Sequence, residues 1–319
     1  MTTDVSTTSI AYVFPGQGSQ YAGMGKDLSE RFESARLVFE EVDDALGFNL
    51  SRLCFEGPAE DLQLTENTQP AILAVSVAAL RALQSSGLKA PAYVAGHSLG
   101  EYSALVAAGA ISLSDAARTV RDRGRYMQEA VPVGTGAMAA ILGADVAEIE
   151  RICNEAAADQ VCSMANLNSP NQVVIAGSAE AVDRATELLK GVAKRVVKLN
   201  VSAPFHCALM KPAQERLGSD LARLSFENAQ IPVVTNADAK ATTDAKELKD
   251  ALYRQVSAPV RWTGSMELLI KQGIGLFVEV GPGKVLTGLM RQISRDVTCL
   301  NVEDTASLEA TSARLAGRT

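Results

Sequence analysis

Long apolar runs are missing from this 319-residue sequence, and none approaches the ~20 residues that a membrane-spanning helix requires. The first nine residues, MTTDVSTTS, have neither the basic start nor the apolar centre of a secretory signal. The formal net charge is -7, and lysine and arginine form no concentrated stretch that would attract a nucleic-acid backbone. We therefore expect a cytoplasmic protein that has neither a membrane nor a nucleic acid as partner.

Closely spaced cysteines are missing as well. The chain has five, an odd number, and no two have the CxxC spacing, so the sequence supports neither a disulfide framework nor a zinc site. With 47% hydrophobic and 21% charged residues, the chain is apolar enough to fold around one large core and a smaller unit. We expect reduced thiols at Cys54, Cys153, Cys162, Cys207 and Cys299.

Apolar segments alternate with amphipathic ones along the first part of the chain. Residues 10–14 predict a buried strand, and residues 92–95 predict the next one. Between them lie helical patterns at residues 27–46 and 71–83, and the second of these is opened by Pro70. Strands that alternate with helices indicate a parallel α/β sheet.

Residues 136–202 follow a different pattern, with the predicted order strand, helix, strand, strand, helix, strand. This βαββαβ order is typical of a ferredoxin-like unit. The fold class is therefore α/β, with a large domain over residues 1–134 and 203–319 and an inserted ferredoxin-like subdomain over residues 135–202. The last residues, from about Asp304 onward, are the part of the chain most expected to fray.

The segment Gly96-His97-Ser98-Leu99-Gly100 lies between a predicted strand and a predicted helix. In that context GxSxG forms a tight turn that exposes the serine hydroxyl near a helix amino terminus, where backbone N–H groups face developing negative charge. The alternative is that the pentapeptide arises by chance and that Ser98 only caps a helix.

A serine hydroxyl needs a base to take its proton, and the chain has only two histidines. His97 is adjacent to Ser98 in a sharp turn, so its side chain should point away from the hydroxyl and pack elsewhere. Elimination leaves His206 as the candidate base, although a lone histidine in a loop is usually structural.

One arginine stands out in the predicted helix over residues 113–127. On a helical wheel Arg118, Arg121 and Arg125 fall away from the apolar stripe, whereas Arg123 lies at its edge. A guanidinium directed inward needs an anion, which is either a carboxylate of the protein or a carboxylate of a substrate. The stripe consists of Leu113, Ala116, Ala117, Val120, Gly124 and Met127.

At these residues the sequence resembles the malonyl-CoA:acyl-carrier-protein transacylase family, over about residues 10–302. Several motifs in the same order are far more specific than GxSxG alone. Four carry the resemblance: Phe14-Pro15-Gly16-Gln17-Gly18-Ser19-Gln20, Thr68-Gln69-Pro70-Ala71, Gly96-His97-Ser98-Leu99-Gly100-Glu101-Tyr102 and Gly281-Pro282-Gly283-Lys284-Val285-Leu286.

The resemblance implies a site and a reaction. Ser98 would be the nucleophile and His206 the base, Arg123 would hold the malonyl carboxylate, and the backbone N–H groups of Gln17 and Leu99 would form the oxyanion hole. Malonyl would pass from malonyl-CoA to Ser98, and then to the phosphopantetheine thiol of an acyl carrier protein, without a metal or redox cofactor.

The resemblance also implies an α/β-hydrolase-like core and three supporting residues. The backbone carbonyl of Gln255 would orient the histidine, in place of an aspartate. Gln69 and Asn168 match positions that line the family's cleft, although Asn168 precedes Ser169-Pro170 and could equally be a turn former.

The carrier proteins that act as partners of this family are characteristically acidic. The resemblance therefore implies a basic rim near the cleft, for which the candidates are Lys190, Lys194, Arg195, Lys284 and Arg291.

Two other functions remain open at this stage. An esterase or thioesterase could use the same turn with water as the acceptor. A non-catalytic subunit could bind a carrier protein, but it would have little need for Ser98, His206 and Arg123 together.

Overall fold

The computed structural model describes residues 9–88, 90–201 and 203–316. Within these residues, ten strands form two separate sheets. In chain order the strands are β1 (Ser9–Phe14), β2 (Tyr93–Gly96), β3 (Gly136–Leu142), β4 (Cys162–Ser169), β5 (Gln172–Ser178), β6 (Arg195–Lys198), β7 (Val233–Val234), β8 (Ala241–Thr242), β9 (Ile274–Val280) and β10 (Thr298–Val302).

The helices surround the two sheets, and a short 3-10 turn covers Ala208–Met210. None of the helices in the described ranges combines the length and the apolarity needed to cross a membrane. In chain order they are α1 (Lys26–Arg31), α2 (Glu33–Leu46), α3 (Leu50–Glu56), α4 (Ala59–Gln63), α5 (Thr65–Ser85), α6 (Gly100–Ala107), α7 (Leu113–Glu129), α8 (Val146–Ala157), α9 (Ala179–Leu189), α10 (Lys211–Arg223), α11 (Ala245–Gln255), α12 (Trp262–Lys271), α13 (Val285–Ile293) and α14 (Thr305–Leu315).

The larger sheet has the strand order β10-β9-β1-β2-β7-β8, and every neighbouring pair is parallel except β7 with β8. Its central strand β1 is apolar and buried, as expected of a parallel strand covered on both faces. The parallel order brings the carboxyl ends of β1, β2 and β7 to one edge. The loops that leave this edge therefore meet in space.

Both faces of the larger sheet are covered by apolar cores. One core lies between the sheet and α2, α5 and α7, where α5 is buried on nearly all sides. The second lies between the opposite face and α12 and α13, and it includes Trp262 and Phe277. Burial of both faces of the six-stranded sheet holds its strands in place, and with them the loops that leave the carboxyl ends of β1, β2 and β7.

The smaller sheet is antiparallel, with the order β4-β5-β3-β6, and α8 and α9 pack on it around a third apolar core. It joins the larger part through β4. The Leu167 N–H donates to the Val260 carbonyl at 2.9 Å, and the Val260 N–H donates to the Ala165 carbonyl at 2.8 Å. The predicted boundary at Ser202 lies outside the described residues.

Three predictions about local structure are wrong. The helix expected over residues 27–46 is two helices, because Phe32 has an extended backbone with φ of -124°. The helix expected to open at Pro70 begins at Thr65, and Pro70 lies inside it. Burial of almost every side chain of α5 outweighs the one hydrogen bond that a proline removes.

The third error concerns the chain beyond Asp304, which forms α14 and does not fray over residues 305–316. Asp304 and Ser307 form a capping box at its start, and Leu308 packs into the main core. The Thr305 N–H also donates to Asp27 at 2.6 Å, which ties the helix to α1. The polar amino-terminal residues 1–8 lie outside the described residues.

Candidate active site

Ser98 occupies a tight turn between β2 and α6. Its φ of +52° lies in the left-handed region, which costs a non-glycine residue about 1–3 kcal/mol. A Cβ at Gly96 would lie 1.9 Å from the Gly100 carbonyl group, and one at Gly100 would lie 2.1 Å from the Phe14 carbonyl oxygen. Both positions therefore require glycine, and the close packing holds the turn at the end of β1.

His206 lies in the loop that follows β6, and it is buried. The Ser98 hydroxyl donates to His206 Nε2 at 2.7 Å, and His206 Nδ1–H donates to the Gln255 carbonyl at 2.9 Å. A carbonyl only accepts, so the proton resides on Nδ1 and leaves Nε2 free to accept. Burial, reinforced by the positive charge of Arg123, lowers the pKa of His206 from 6.5 to about 3. The imidazole is therefore neutral near pH 7 and able to take a proton.

The Arg123 side chain is only 1% exposed, yet its hydrogen-bond partners are uncharged. It donates to Gln69 Oε1 at 2.6 Å, to Gln255 Oε1 at 3.0 Å and to Ser98 Oγ at 3.1 Å. Among the described residues it forms no ion pair, and Glu101 and Tyr102 act on it only through space. The internal ion pair left open by the sequence is therefore not formed, and burial lowers the pKa of Arg123.

Two further residues that the resemblance implied occupy different positions. Gln69, on α5, lines the cleft and contacts Arg123. Asn168 lies inside β4, so the interpretation as a turn former is wrong, and it is not among the residues that line the cleft, to which β4 contributes Asn166 instead. Asn168 accepts a hydrogen bond from His97 Nε2 at 2.8 Å, and the His97 ring packs against Trp262. His97 is thereby directed away from the Ser98 hydroxyl.

Gln17 lines the same cleft as Ser98, and Leu99 follows Ser98 in the chain. Gln17 lies in the loop that leaves β1, and Leu99 is the last residue before α6. Within the described residues, neither N–H donates to a protein backbone acceptor. Both N–H groups therefore lack a backbone acceptor among these residues, and their predicted role as an oxyanion hole stays a prediction.

A buried polar network that the sequence analysis missed lies beneath the serine. Asn236, in the loop after β7, accepts a hydrogen bond from the Ser98 N–H at 2.6 Å. The Gln255 side chain donates to the Ser98 carbonyl at 2.9 Å and to Glu101 at 2.8 Å. Burial raises the pKa of Glu101 to about 7. The sequence signals were the polar pair Thr235-Asn236 after the buried strand β7, and Glu101 directly after the GxSxG segment.

A cleft of about 780 Å³ opens above this network. Five predicted residues line it: Gln17, Gln69, Ser98, Arg123 and His206. The smaller sheet and the segment after it supply part of the opposite wall through Met138, Asn166 and Leu199. The site thus combines an activated hydroxyl, a neutral base and a buried cation.

These features define a serine-centred site that can hold an acyl group and position an anion. The chain belongs to the acyl transferase domain family, whose profile matches residues 11–318. It is 51% identical over 304 residues to the malonyl CoA-acyl carrier protein transacylase of Escherichia coli (strain K12), an alignment that covers 95% of this chain and 98% of the relative.

Solved structures show the same likeness. An acyl carrier protein S-malonyltransferase from Vibrio cholerae superposes with a TM-score of 0.94 at 51% identity, covering 95% of this chain and 100% of the other. A malonyl-transacylase in complex with a type II PKS acyl-carrier protein has a TM-score of 0.94 at 50% identity, covering 96% and 100%.

Proposed function

We propose that this acyltransferase transfers malonyl from malonyl-CoA to the phosphopantetheine thiol of an acyl carrier protein, in fatty-acid biosynthesis. The observation that carries the proposal is the buried Arg123 guanidinium, which lies 3.1 Å from the Ser98 hydroxyl and has no anionic partner among the described residues. A bidentate carboxylate at this place would satisfy the guanidinium and set the acyl carbonyl over the serine.

In the first half-reaction Ser98 attacks the thioester carbonyl while His206 takes the hydroxyl proton. The 2.7 Å contact is within reach for direct proton transfer, and the lowered pKa keeps the imidazole in the accepting form. The tetrahedral oxyanion forms between the N–H groups of Gln17 and Leu99. The C–S bond then breaks, and the proton on His206 passes to the leaving thiolate of coenzyme A.

In the second half-reaction the carrier protein's thiol attacks the malonyl ester. His206 takes the thiol proton, the same N–H groups stabilise the second oxyanion, and the proton returns to Ser98 as its ester bond breaks. The Gln255 carbonyl keeps the imidazole in one tautomer through both steps, because it accepts from Nδ1 at 2.9 Å. Every proton is thereby accounted for by groups of this chain and the two thiols, so the proposal needs no cofactor.

We also propose that residues 135–202 are a ferredoxin-like insertion in an α/β-hydrolase-like domain formed by residues 1–134 and 203–319. The support is the chain order βαββαβ together with the sheet order β4-β5-β3-β6. Its role would be to close the cleft, to which Met138 and Asn166 contribute.

The test is intact-mass measurement after incubation with malonyl-CoA. Wild type should gain one malonyl group, and Ser98→Ala should gain none although it remains folded by circular dichroism. Added carrier protein should remove the malonyl adduct from the enzyme, and the mass of malonyl-carrier protein should appear. An undiminished adduct on Ser98→Ala would overturn the assignment of the nucleophile. Release of free malonate at the same rate with and without carrier protein would identify a hydrolase instead.

A further inference from the structure

The strained turn at Ser98 is held from below by a residue that no motif contains. We infer that Asn236 is a positioning residue, whose amide clamps the backbone on the amino-terminal side of Ser98 and thereby helps to fix how Oγ and the Leu99 N–H face the cleft. The inference rests on the proposed function of Ser98 as nucleophile.

The clamp consists of two short hydrogen bonds. The Ser98 N–H donates to Asn236 Oδ1 at 2.6 Å, and Asn236 Nδ2 donates to the Gly96 carbonyl at 2.7 Å. One contact needs an acceptor and the other a donor, so the Asn236 amide satisfies both in only one of its two orientations. Asn236 is fully buried, and water cannot replace either bond without a rearrangement.

Asn236 is itself anchored by its backbone. Its N–H donates to Glu101 Oε2 at 2.9 Å, and its carbonyl accepts from the Arg261 N–H at 3.0 Å. The parallel pairing of β2 with β7 places the ends of both strands at the same edge, so the anchor and the serine turn share one rigid support.

The opposite side of the serine is held by Gln255, whose Nε2 donates to the Ser98 carbonyl. That carbonyl and the Leu99 N–H belong to one planar trans peptide and point in opposite directions. Holding the carbonyl in the protein interior therefore aims the Leu99 N–H outward. Asn236 contacts the peptide that precedes Ser98. The side-chain amides of Asn236 and Gln255 together therefore restrict the Ser98 backbone to one orientation. Their hydrogen bonds also offset part of the strain of the positive φ at Ser98.

The decisive variant is Asn236→Asp, which has nearly the same shape. An ionised aspartate still accepts from the Ser98 N–H, but it places a second oxygen against the Gly96 carbonyl, where a donor is required. A protonated aspartate restores the donor and mimics asparagine. Burial and the carboxylates of Glu101 and Asp238 favour the protonated form, whereas Arg123 and Arg261 oppose it. His206 also faces this region, and it stays neutral near pH 7 because of its lowered pKa.

The experiment measures the single-turnover rate of Ser98 acylation by malonyl-CoA. Asn236→Ala should slow acylation by about 10²-fold, because misplacement of a nucleophile by roughly 1 Å has that effect, while the KM for malonyl-CoA changes by less than about threefold. Asn236→Asp should be slow at about pH 8, and its rate relative to wild type should rise as the pH is lowered to about 5.5. The variant rate is divided by the wild-type rate at each pH, because Glu101 titrates in both proteins and its effect should largely cancel in the ratio.

The matched control is Asn228→Ala, which removes an asparagine whose Oδ1 also accepts a backbone N–H, from Ala245 at 3.0 Å, but which is not among the residues that line the cleft. It should acylate at the wild-type rate. A folded Asn236→Ala variant with wild-type acylation would overturn the inference. If the alanine variant does not fold, the pH profile of Asn236→Asp decides, and a profile parallel to that of wild type would equally overturn the inference.

A fluorophosphonate probe separates this inference from the proposed function. The probe reacts with an activated serine whatever acyl group the enzyme prefers. If wild type reacts with the probe but not with malonyl-CoA, the malonyl assignment fails. The same series of variants then still tests Asn236 through the rate of probe labelling, with the same expected losses and the same pH-dependent recovery.

Discussion

The carboxyl edge of the six-stranded sheet and the interior of the four-stranded unit are built in opposite ways. The smaller unit encloses an apolar core that contains Ile141, Ile175 and Leu189, all fully buried. The sheet edge instead buries Glu101 and Asn236, together with Arg123 and the Gln255 side chain. One region is built for stability, whereas the other holds polar groups that are costly to bury.

Backbone strain and unpaired polar atoms are found at that edge. Ser98 and His206 have positive φ values of +52° and +59°. Arg123 Nε and Glu101 Oε1 are buried and have no hydrogen-bond partner among the described residues. Such features lower stability, but they fix reacting groups before substrate binds, which is how electrostatic preorganisation works. The strained and polar residues therefore lie around the six-stranded sheet, while the smaller unit supplies one wall of the cleft.

The largest loss should follow from removing the base at the strained edge. His206→Ala should slow both half-reactions by about 10²- to 10⁴-fold, the usual range for a positioned proton transfer. His97→Ala should affect them far less, since His97 contacts Asn168 and Trp262. Single-turnover acylation and transfer to carrier protein measure the two steps. Normal transfer by His206→Ala, with loss in His97→Ala, would reverse the assignment.

The same residue makes a prediction about pH. Because burial lowers the pKa of His206 to about 3, the protonated form is disfavoured and the base stays neutral well below its ordinary pKa of 6.5. Acylation by wild type should therefore show no loss caused by imidazole protonation between about pH 7.5 and 5.5. Glu101 has a pKa of about 7, so its titration can add a separate inflection to the plot of acylation rate against pH. Glu101→Gln removes that inflection, and a remaining loss with a midpoint near 6.5 would contradict the lowered pKa of His206.

The next effect concerns selection of the acyl group. An acetyl group would leave the buried Arg123 guanidinium unpaired, so wild type should prefer malonyl-CoA over acetyl-CoA by roughly 10²-fold or more. Arg123→Ala should lose malonyl transfer and narrow this preference, and Arg123→Lys should keep part of it, since a point charge cannot reproduce the planar fork. Acylation kinetics with both thioesters give the ratio. An unchanged ratio in Arg123→Ala would place selectivity elsewhere.

A substitution in the apolar core of the smaller unit should lower stability and leave the acylation rate unchanged. Leu189→Ala removes a fully buried side chain and should lower the free energy of unfolding by about 2–5 kcal/mol. The acylation rate of the folded fraction should stay unchanged, because Leu189 contributes nothing to the cleft lining. Chemical denaturation and active-site titration measure the two quantities. A fall in the rate per folded site would show that the two regions are not separable.

The smallest effect is expected at the basic rim. Lys190 and Lys284 already pair with Glu187 and Glu303, so they have less charge to offer an acidic partner. Charge reversal at Lys194 or Arg195 should raise the KM for carrier protein by a few-fold and leave acylation by malonyl-CoA intact. Steady-state kinetics with varied carrier protein measure this effect. Equal changes in both half-reactions would count against docking at the rim.

Local sequence patterns predicted much of the fold. The strand predicted over residues 10–14 lies within β1, and the strand–helix order of the smaller unit is the predicted one. Strand β10 was missed, because it is a partly exposed edge strand without a clear apolar period. The capping box at Asp304 was the overlooked signal for α14.

The nucleophile turn, the candidate base and the inward-facing arginine could be predicted from the amino-acid sequence, because they depend on a motif, a count of histidines and a helical period. The three-dimensional fold was needed to show that Arg123 has no ion pair among the described residues and that Asn236 holds Ser98. The latter contact joins residues 138 positions apart. Such contacts depend on which strands lie side by side, and strand order follows from the packing of the whole sheet, on which local periodicity carries no information.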